Sequence, residues 1–270
     1  MVAALGALSS SLVLAAPINY GSFMGTTVIY DMVREAANSV GDIEPLFGPP
    51  TTLGPVTVGF PLVPCVMCGI PGNTLDFSPV GFGASSIGGG ADLTDGNLAF
   101  MILAKQGQGI ANVSITEAGD VTLSGIAAAG TQTTFASVTS NVFIDIVEVN
   151  GVGITPINLS LNQTFAPSGG TYGLGTDGLA SQPLFNSGWT GGLFVNIQQE
   201  LINRGISGVA TKVNVDLDNT LSAISQLGTG ALIAKKNHGV IIETNVPEPA
   251  SCLLAAFGLL GLLGMRRDRN

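Results

Sequence analysis

The chain has 270 residues, of which 46% are hydrophobic, 10% charged and 38 glycine, a balance too apolar for a disordered polyelectrolyte and long enough to bury a core. Its formal charge is −9 but unevenly placed: Arg266, Arg267 and Arg269 are three of the nine cations, so residues 16–245 set six Lys/Arg against 16 Asp/Glu, a net −10. Such a surface repels phosphate backbones and anionic headgroups, which argues against nucleic acid as a partner and for cations.

The first sixteen residues, MVAALGALSSSLVLAA, carry no charge and form an apolar stretch of signal-peptide length, short for a bilayer span. Val13 and Ala15 are small enough for the −3 and −1 positions, so residues 1–15 are expected to be a signal peptide cleaved after Ala15. The first cation is Arg34, and the missing basic leader leads us to expect Lys or Arg codons in frame upstream of Met1. A buried N-terminal strand or helix is the competing reading.

Residues 16–245 read as one β-rich body. Eight prolines between Pro45 and Pro79 exclude long helices there and favour short edge strands and loops. Thr26–Tyr30 is the first expected strand. Asn97–Ala104, Ile110–Thr116, Asp120–Ile126, Thr133–Val138, Asn141–Asn150 and Thr155–Leu161 follow as β-branched runs separated by Gly, Asn or Asp. Asn150-Gly151 is a strong hairpin dipeptide. One helix is predicted in FVNIQQELINR, with Leu193, Ile197, Leu201 and Ile202 on one face and Gly205 as its stop. Beyond it Val213, Val215 and Leu217 alternate with Asn214, Asp216 and Asp218, the pattern of a strand with one buried face. Ala231–Ala234 and Gly239–Glu243 close the body. The fold class implied is all-β, a β-sandwich and in one form a jelly roll, with one short helix.

Several groups invite chemistry. Cys65 and Cys68 form a CxxC between Pro64 and Pro71; the spacing suits a local disulfide, a redox pair or two metal ligands. Gly69 and Pro71 forbid the helix a redox motif needs, so a disulfide is the expectation in an oxidising compartment. Asp92 and Asp95, on a glycine-rich stretch read as a turn, and Asp216 and Asp218, on one strand face, offer hard oxygens of the kind Ca²⁺ takes; turn-forming Asp is the bland reading. Tyr172 and Trp189 are the natural glycan-stacking aromatics, with core packing as the alternative. Gly173–Gly178 matches GxGxxG, but Pro183 follows and no helix opens there, so it reads as a loop. The three N-x-S/T triplets at Asn112, Asn158 and Asn162 are what this composition yields by chance. His238, the sole histidine, falls in a polar turn, and neither GxSxG nor HExxH occurs.

The C-terminal end is the most specific stretch. Val246-Pro247-Glu248-Pro249-Ala250-Ser251 precedes an apolar run, Cys252–Gly264, and Met265-Arg266-Arg267-Asp268-Arg269-Asn270 follows it. The prolines keep their segment extended and presentable, the run partitions into lipid, and Arg266, Arg267 and Arg269 hold the end on the cytoplasmic side. At 13 residues the run is short for a span, and snorkelling arginines extend it. An ordinary membrane anchor, or a buried helix after a proline-rich loop, is the competing reading. This order of parts over residues 246–270 closely resembles the PEP-CTERM sorting signal.

That resemblance implies an exported protein whose Pro247, Glu248 and Pro249 are recognised by an exosortase, a membrane protease-transpeptidase that removes the tail. It implies membrane attachment before processing and then a cell-surface or extracellular location, in company with exopolysaccharide and biofilm. The functional expectation is therefore a non-enzymatic surface or matrix protein without cofactor. A calcium-dependent polysaccharide-binding module comes second, and a secreted hydrolase using an Asp pair third.

Overall fold

In a computed structural model, described here for residues 17–37, 45–52, 72–79, 81–125, 134–174 and 184–245, the body is built from thirteen strands and one α-helix. The strands are β1 (Ile18–Met24), β2 (Val28–Ala37), β3 (Thr74–Phe77), β4 (Gly83–Ile87), β5 (Gly90–Ala104), β6 (Asn112–Gly125), β7 (Phe135–Val149), β8 (Val152–Asn162), β9 (Thr164–Ala166), β10 (Thr171–Gly173), β11 (Leu184–Val195), β12 (Ala210–Ser225) and β13 (Thr229–Asn245), with α1 at Ile197–Asn203. They form two antiparallel sheets. One runs β1-β2-β5-β12-β7, with β8 and β10 both on the far edge of β7; the other runs β9-β11-β6-β13, with β3 and β4 on the far edge of β13. The expected all-β sandwich with one short helix is what the chain adopts.

The long central strands alternate strictly. In β6, Val113, Ile115, Val121 and Leu123 point inward; in β7, Ala136, Val138, Val142, Ile144 and Ile146; in β12, Val213, Val215, Leu217, Leu221 and Ala223. Their apolar faces meet as one core, as two half-buried sheets must. The core is finished by the segment 45–48, whose Leu46 and Phe47 pack beside Phe77 and Phe82, with edge-to-face ring contacts at 6.2 and 5.0 Å. That segment is held by Glu35 of β2: its buried carboxylate accepts from the backbone N–H groups of Leu46, Phe47 and Gly48 at 2.6, 3.0 and 3.0 Å.

The sequence-based element boundaries need correcting in a consistent direction. β1 precedes the first expected strand, and β11, for which no strand was expected, occupies Leu184–Val195. Leu193 is therefore a strand residue. The helix is only seven residues, capped by Asn196, whose side chain accepts from Gln199 N at 2.8 Å, and it ends at Gly205 with φ +69°. Ile197 and Leu201 are its buried contacts, while Ile202 is 57% exposed. Three pairs of short runs are single long strands, β6, β7 and β13, and the polar turn around His238 is a bulge within β13, between Lys235 and Val240. Asn150 and Gly151 do make the β7–β8 turn, with φ of +50° and +77°.

Tyr30 ties β2 to the other sheet: its hydroxyl donates to Asn73 O at 2.6 Å and lies 3.1 Å from Thr244 Oγ1 of β13. Burial pushes the phenol well above its ordinary value, partly offset by the Thr244 hydrogen bond, with Glu243 pushing upward as well. The folded chain thus keeps a proton that the unfolded chain loses near pH 10, so the contribution of Tyr30 is complete below that pH and falls as pH rises through and beyond it. Tyr30→Phe is expected to lower stability by about 1 kcal/mol at neutral pH through the lost hydrogen bonds. It should also flatten the decline in alkali, as read from urea denaturation at a series of pH values.

Candidate functional site

Alternation that carries apolar side chains into the core also carries polar ones, and five buried polar side chains meet at one place between the sheets. Glu117 lies in phase with Ile115 and Val121 on β6, Ser140 with Val138 and Val142 on β7, Asn219 with Leu217 and Leu221 on β12, and Lys235 with Ala231 and Ile233 on β13. Gln163, between β8 and β9, completes the set. Glu117 and Lys235 belong to one sheet, Ser140 and Asn219 to the other, so the cluster spans the space between the sheets.

Its hydrogen bonds form a closed circuit. Lys235 Nζ pairs with Glu117 Oε2 and donates to Asn219 Oδ1 at 2.6 Å. Asn219 Nδ2 donates to Glu117 Oε1 at 3.0 Å and to Ser140 Oγ at 3.3 Å. Gln163 Nε2 donates to Glu117 Oε1 at 2.6 Å and Ser140 Oγ at 3.1 Å. Both charged side chains are fully buried. Aromatic faces roof the ammonium, with Nζ 5.1 Å from the Phe82 ring centroid and 5.6 Å from that of Trp189. Burial pushes Lys235 below the ordinary lysine range, against the opposing pull of Glu117.

The roof is shaped by glycine. Gly119 faces Trp189 across the β6–β11 ladder, and a Cβ there would lie 2.2 Å from Ala234 O and 2.3 Å from the indole. Gly191 likewise leaves room for Phe165, whose ring stands edge-on to Trp189 at 5.8 Å.

A second feature lies on the outer face of the other sheet. A shallow depression of about 290 Å³ crosses β2, β5, β12 and β7. The ladder sets Arg34, Ala99, Asp216 and Phe143 on one rung, and Met101, Asn214 and Asp145 on the next. Phe143 is 44% exposed there.

The sequence-derived candidates fare unequally. Trp189 and Tyr172 are 1% and 0% exposed, so neither presents a face to a sugar: Trp189 roofs the buried lysine, and Tyr172 lies on the short β10 against β7. Asp92 and Asp95 stand on β5, not on a flexible turn. Asp92 accepts from Ser85 N at 2.7 Å and Asp95 from Thr220 Oγ1 at 2.9 Å. Asp216 accepts from Asn97 Nδ2, and Asp218 shares its strand face. Among the described residues no three His, Cys, Asp or Glu side chains gather as a metal site would require. Residues 1–15, Cys65, Cys68, Pro247, Glu248, Pro249, Arg266, Arg267 and Arg269 lie outside the described residues; among the described residues, no helix is long and apolar enough to cross a membrane. Hydrophobic patterning alone does not reveal the buried cluster, although strand phase marks it: each member on a long strand occupies an inward position of an otherwise apolar alternation.

Over residues 245–269 the chain matches the PEP-CTERM protein-sorting motif, which marks an exported protein processed by an exosortase-type enzyme. No curated protein matches it. Among solved structures it matches the enzymatically active domain of tailspike protein 4 of bacteriophage CBA120 at 12% identity and TM-score 0.20, covering 63% of this chain but only 15% of that one. It also matches TmCBM61 in complex with β-1,4-galactotriose, at 9% identity and TM-score 0.14 over 63% and 68% of the two chains. A structure of infectious bursal disease virus, Gt strain, matches at 12% identity and TM-score 0.12 over 87% and 60%. TM-scores this low carry no inference about fold or function.

The fit of Trp189 over Gly119 is testable, because Trp189 is the sole tryptophan. Gly119→Ala is expected to destabilise the fold by about 1–3 kcal/mol, since backbone as well as ring must shift. Urea denaturation followed by Trp189 fluorescence should show both the lower midpoint and an altered native emission.

Proposed function

We propose that the chain is a non-enzymatic protein of the cell surface or extracellular matrix, placed there after an exosortase-type enzyme acts on its tail and working alongside extracellular polysaccharide. The observation that carries this reading is the sorting motif on residues 245–269, attached to the end of a sandwich strand. The use of polar groups in the body agrees with it. Asp92, Asp95 and Asp216, carboxylates a hydrolase could deploy, each accept a hydrogen bond from a neighbouring strand or hairpin partner. The buried polar cluster joins sheet to sheet. Such a body is suited to persist as a rigid element.

In the native cell, full-length precursor is expected to give way to a shorter form in the envelope or matrix fraction. A chain carrying Pro247→Ala and Pro249→Ala should accumulate as unprocessed membrane-bound precursor. A wild-type chain recovered full-length from the cytosol would overturn the proposal.

A second reading, polysaccharide binding, is favoured by the outer depression rather than by Tyr172 and Trp189. There Phe143 and Met32 (53% exposed) offer apolar surface beside Arg34, Asn214 and Asp216. A sugar ring can lay its C–H face on the first pair and direct hydroxyls to the others. Gel electrophoresis through immobilised exopolysaccharide is expected to retard the wild type and release Phe143→Ala, whose stability should change by no more than about 0.5 kcal/mol, as for an exposed site. Repeating it with Ca²⁺ and with chelator tests the calcium requirement. An unretarded wild type in both conditions removes this reading.

A further inference from the structure

Lys235, Asn219 and Glu117 hold an amine, a carboxamide and a carboxylate in mutual contact, sealed from water. A buried ion pair alone is a poor stabiliser, because desolvating both charges costs about as much as their attraction returns, and a well-packed apolar pair would serve as well. The arrangement exceeds what an ion pair needs. The two oxygens of Glu117 are divided: Oε2 meets the lysine nitrogen, Oε1 accepts from the carboxamide nitrogen of Asn219. The carboxamide oxygen, meanwhile, receives a hydrogen bond from Nζ at 2.6 Å, so the amine lies directly against the acyl group.

We propose that this cluster is a self-modification site at which Lys235 Nζ and Asn219 Cγ join in an isopeptide bond, with Glu117 shuttling the protons and ammonia leaving. Glu117 Oε2 takes a proton from the ammonium and frees the lone pair, which attacks Cγ. In the tetrahedral intermediate the carboxyl gives its proton to Nδ2 and takes a second from Nζ; the Cγ–Nδ2 bond then breaks. Of the three protons on Nζ, one stays on the new amide, one leaves in ammonia and one ends on Glu117. No oxidant or cofactor enters, and charge is conserved.

Three features favour the step. Burial pushes Lys235 toward the neutral amine that the attack requires. The Phe82 and Trp189 rings and the core exclude water, which would compete for the acyl carbon. Nζ is held 2.6 Å from the oxygen of the acyl group it attacks, so a small shift of Nζ over Cγ reaches the aligned geometry for which effective concentrations of about 10⁵–10⁸ M apply, and the reaction need occur only once in the life of a chain. Since β12 and β13 belong to different sheets, the product is a covalent tie across the sandwich.

The test is a tryptic map of the purified, denatured full chain. The fragment running from Val213 through Lys236 is expected to be lighter by one ammonia, uncut at Lys235, and without backbone fragments arising between Asn219 and Lys235. An unmodified mass overturns the proposal. So does loss of ammonia with Lys235 still cleavable, which would mean a succinimide at Asn219. Loss of water joining Lys235 to Glu117 would overturn Asn219 as the acyl donor. Glu117→Gln is expected to show the unlinked mass while keeping a cooperative Trp189 fluorescence transition; a fully linked Glu117→Gln chain would remove the shuttle role. If that variant does not fold, the wild-type map alone decides.

Discussion

The polar cluster that joins the two sheets is arranged around a lysine that has been brought where a lysine costs most. Lys235 sits in the apolar layer between two sheets, and its burial is tolerable only because Glu117, Asn219 and the Phe82 and Trp189 faces surround it. Those partners in turn impose conditions of their own. Trp189 can lie there only because Gly119 lacks a side chain, Phe165 fits beside it only because Gly191 does, and Glu117 is oriented by Gln163, which the β8–β9 connection delivers. Removal of any one member leaves a polar or charged group stranded in the core, so the cluster behaves as a unit.

A second constraint of the same kind operates at the rim. The segment 45–48 has no ladder to satisfy its backbone, and Glu35 supplies the acceptor for three of its N–H groups. That contact lets Leu46 and Phe47 close the core beside Phe77 and Phe82, the latter being also the aromatic nearest the buried ammonium. Gly96 admits them: a Cβ there would meet Leu46 at 2.7 Å and Phe82 at 2.8 Å. The carboxylates of an acidic protein are thus divided between interior tasks, where two of them organise whole segments, and the outer face, where they line the ladder.

The alternation of Val, Leu and Ile against polar residues made the sheet class, the β12 phase and the β7–β8 turn legible. The breaks misled, and for a single reason. Hydrophobicity sets strand limits at Thr116, Val138 and Ala234, immediately before Glu117, Thr139-Ser140 and Lys235, and the alternation in β12 is legible as far as Asp218, one residue short of Asn219. A polar residue in an inward phase looks like the end of a strand when only hydrophobicity is followed. Gly119 lies between two of the expected runs, where a glycine usually signals a turn, whereas here it is a seat for an indole. Tyr172 and Trp189 take the core-packing alternative and not the glycan-stacking one, and sequence leaves both open because nothing local distinguishes an aromatic that faces solvent from one that faces a glycine on the next strand.

The cluster also stands in a telling position relative to the tail. The sorting motif begins at Asn245, the last residue of β13, and β13 is an interior strand of its sheet, paired to β6 on one side and to β3 and β4 on the other. Load applied at the C-terminal end of the body therefore enters along the axis of a central strand. From Val240 to Glu243 it is shared in shear by the ladders to β6 and β3, and the strand then bulges, so that between Lys235 and Val240 the β6 ladder is interrupted. Lys235 is the first inward side chain beyond that gap, where the strand is weakest in backbone pairing and most in need of a side-chain hold on the opposite sheet. A chain fixed to a membrane or matrix by its last strand would be held best by an attachment at that point.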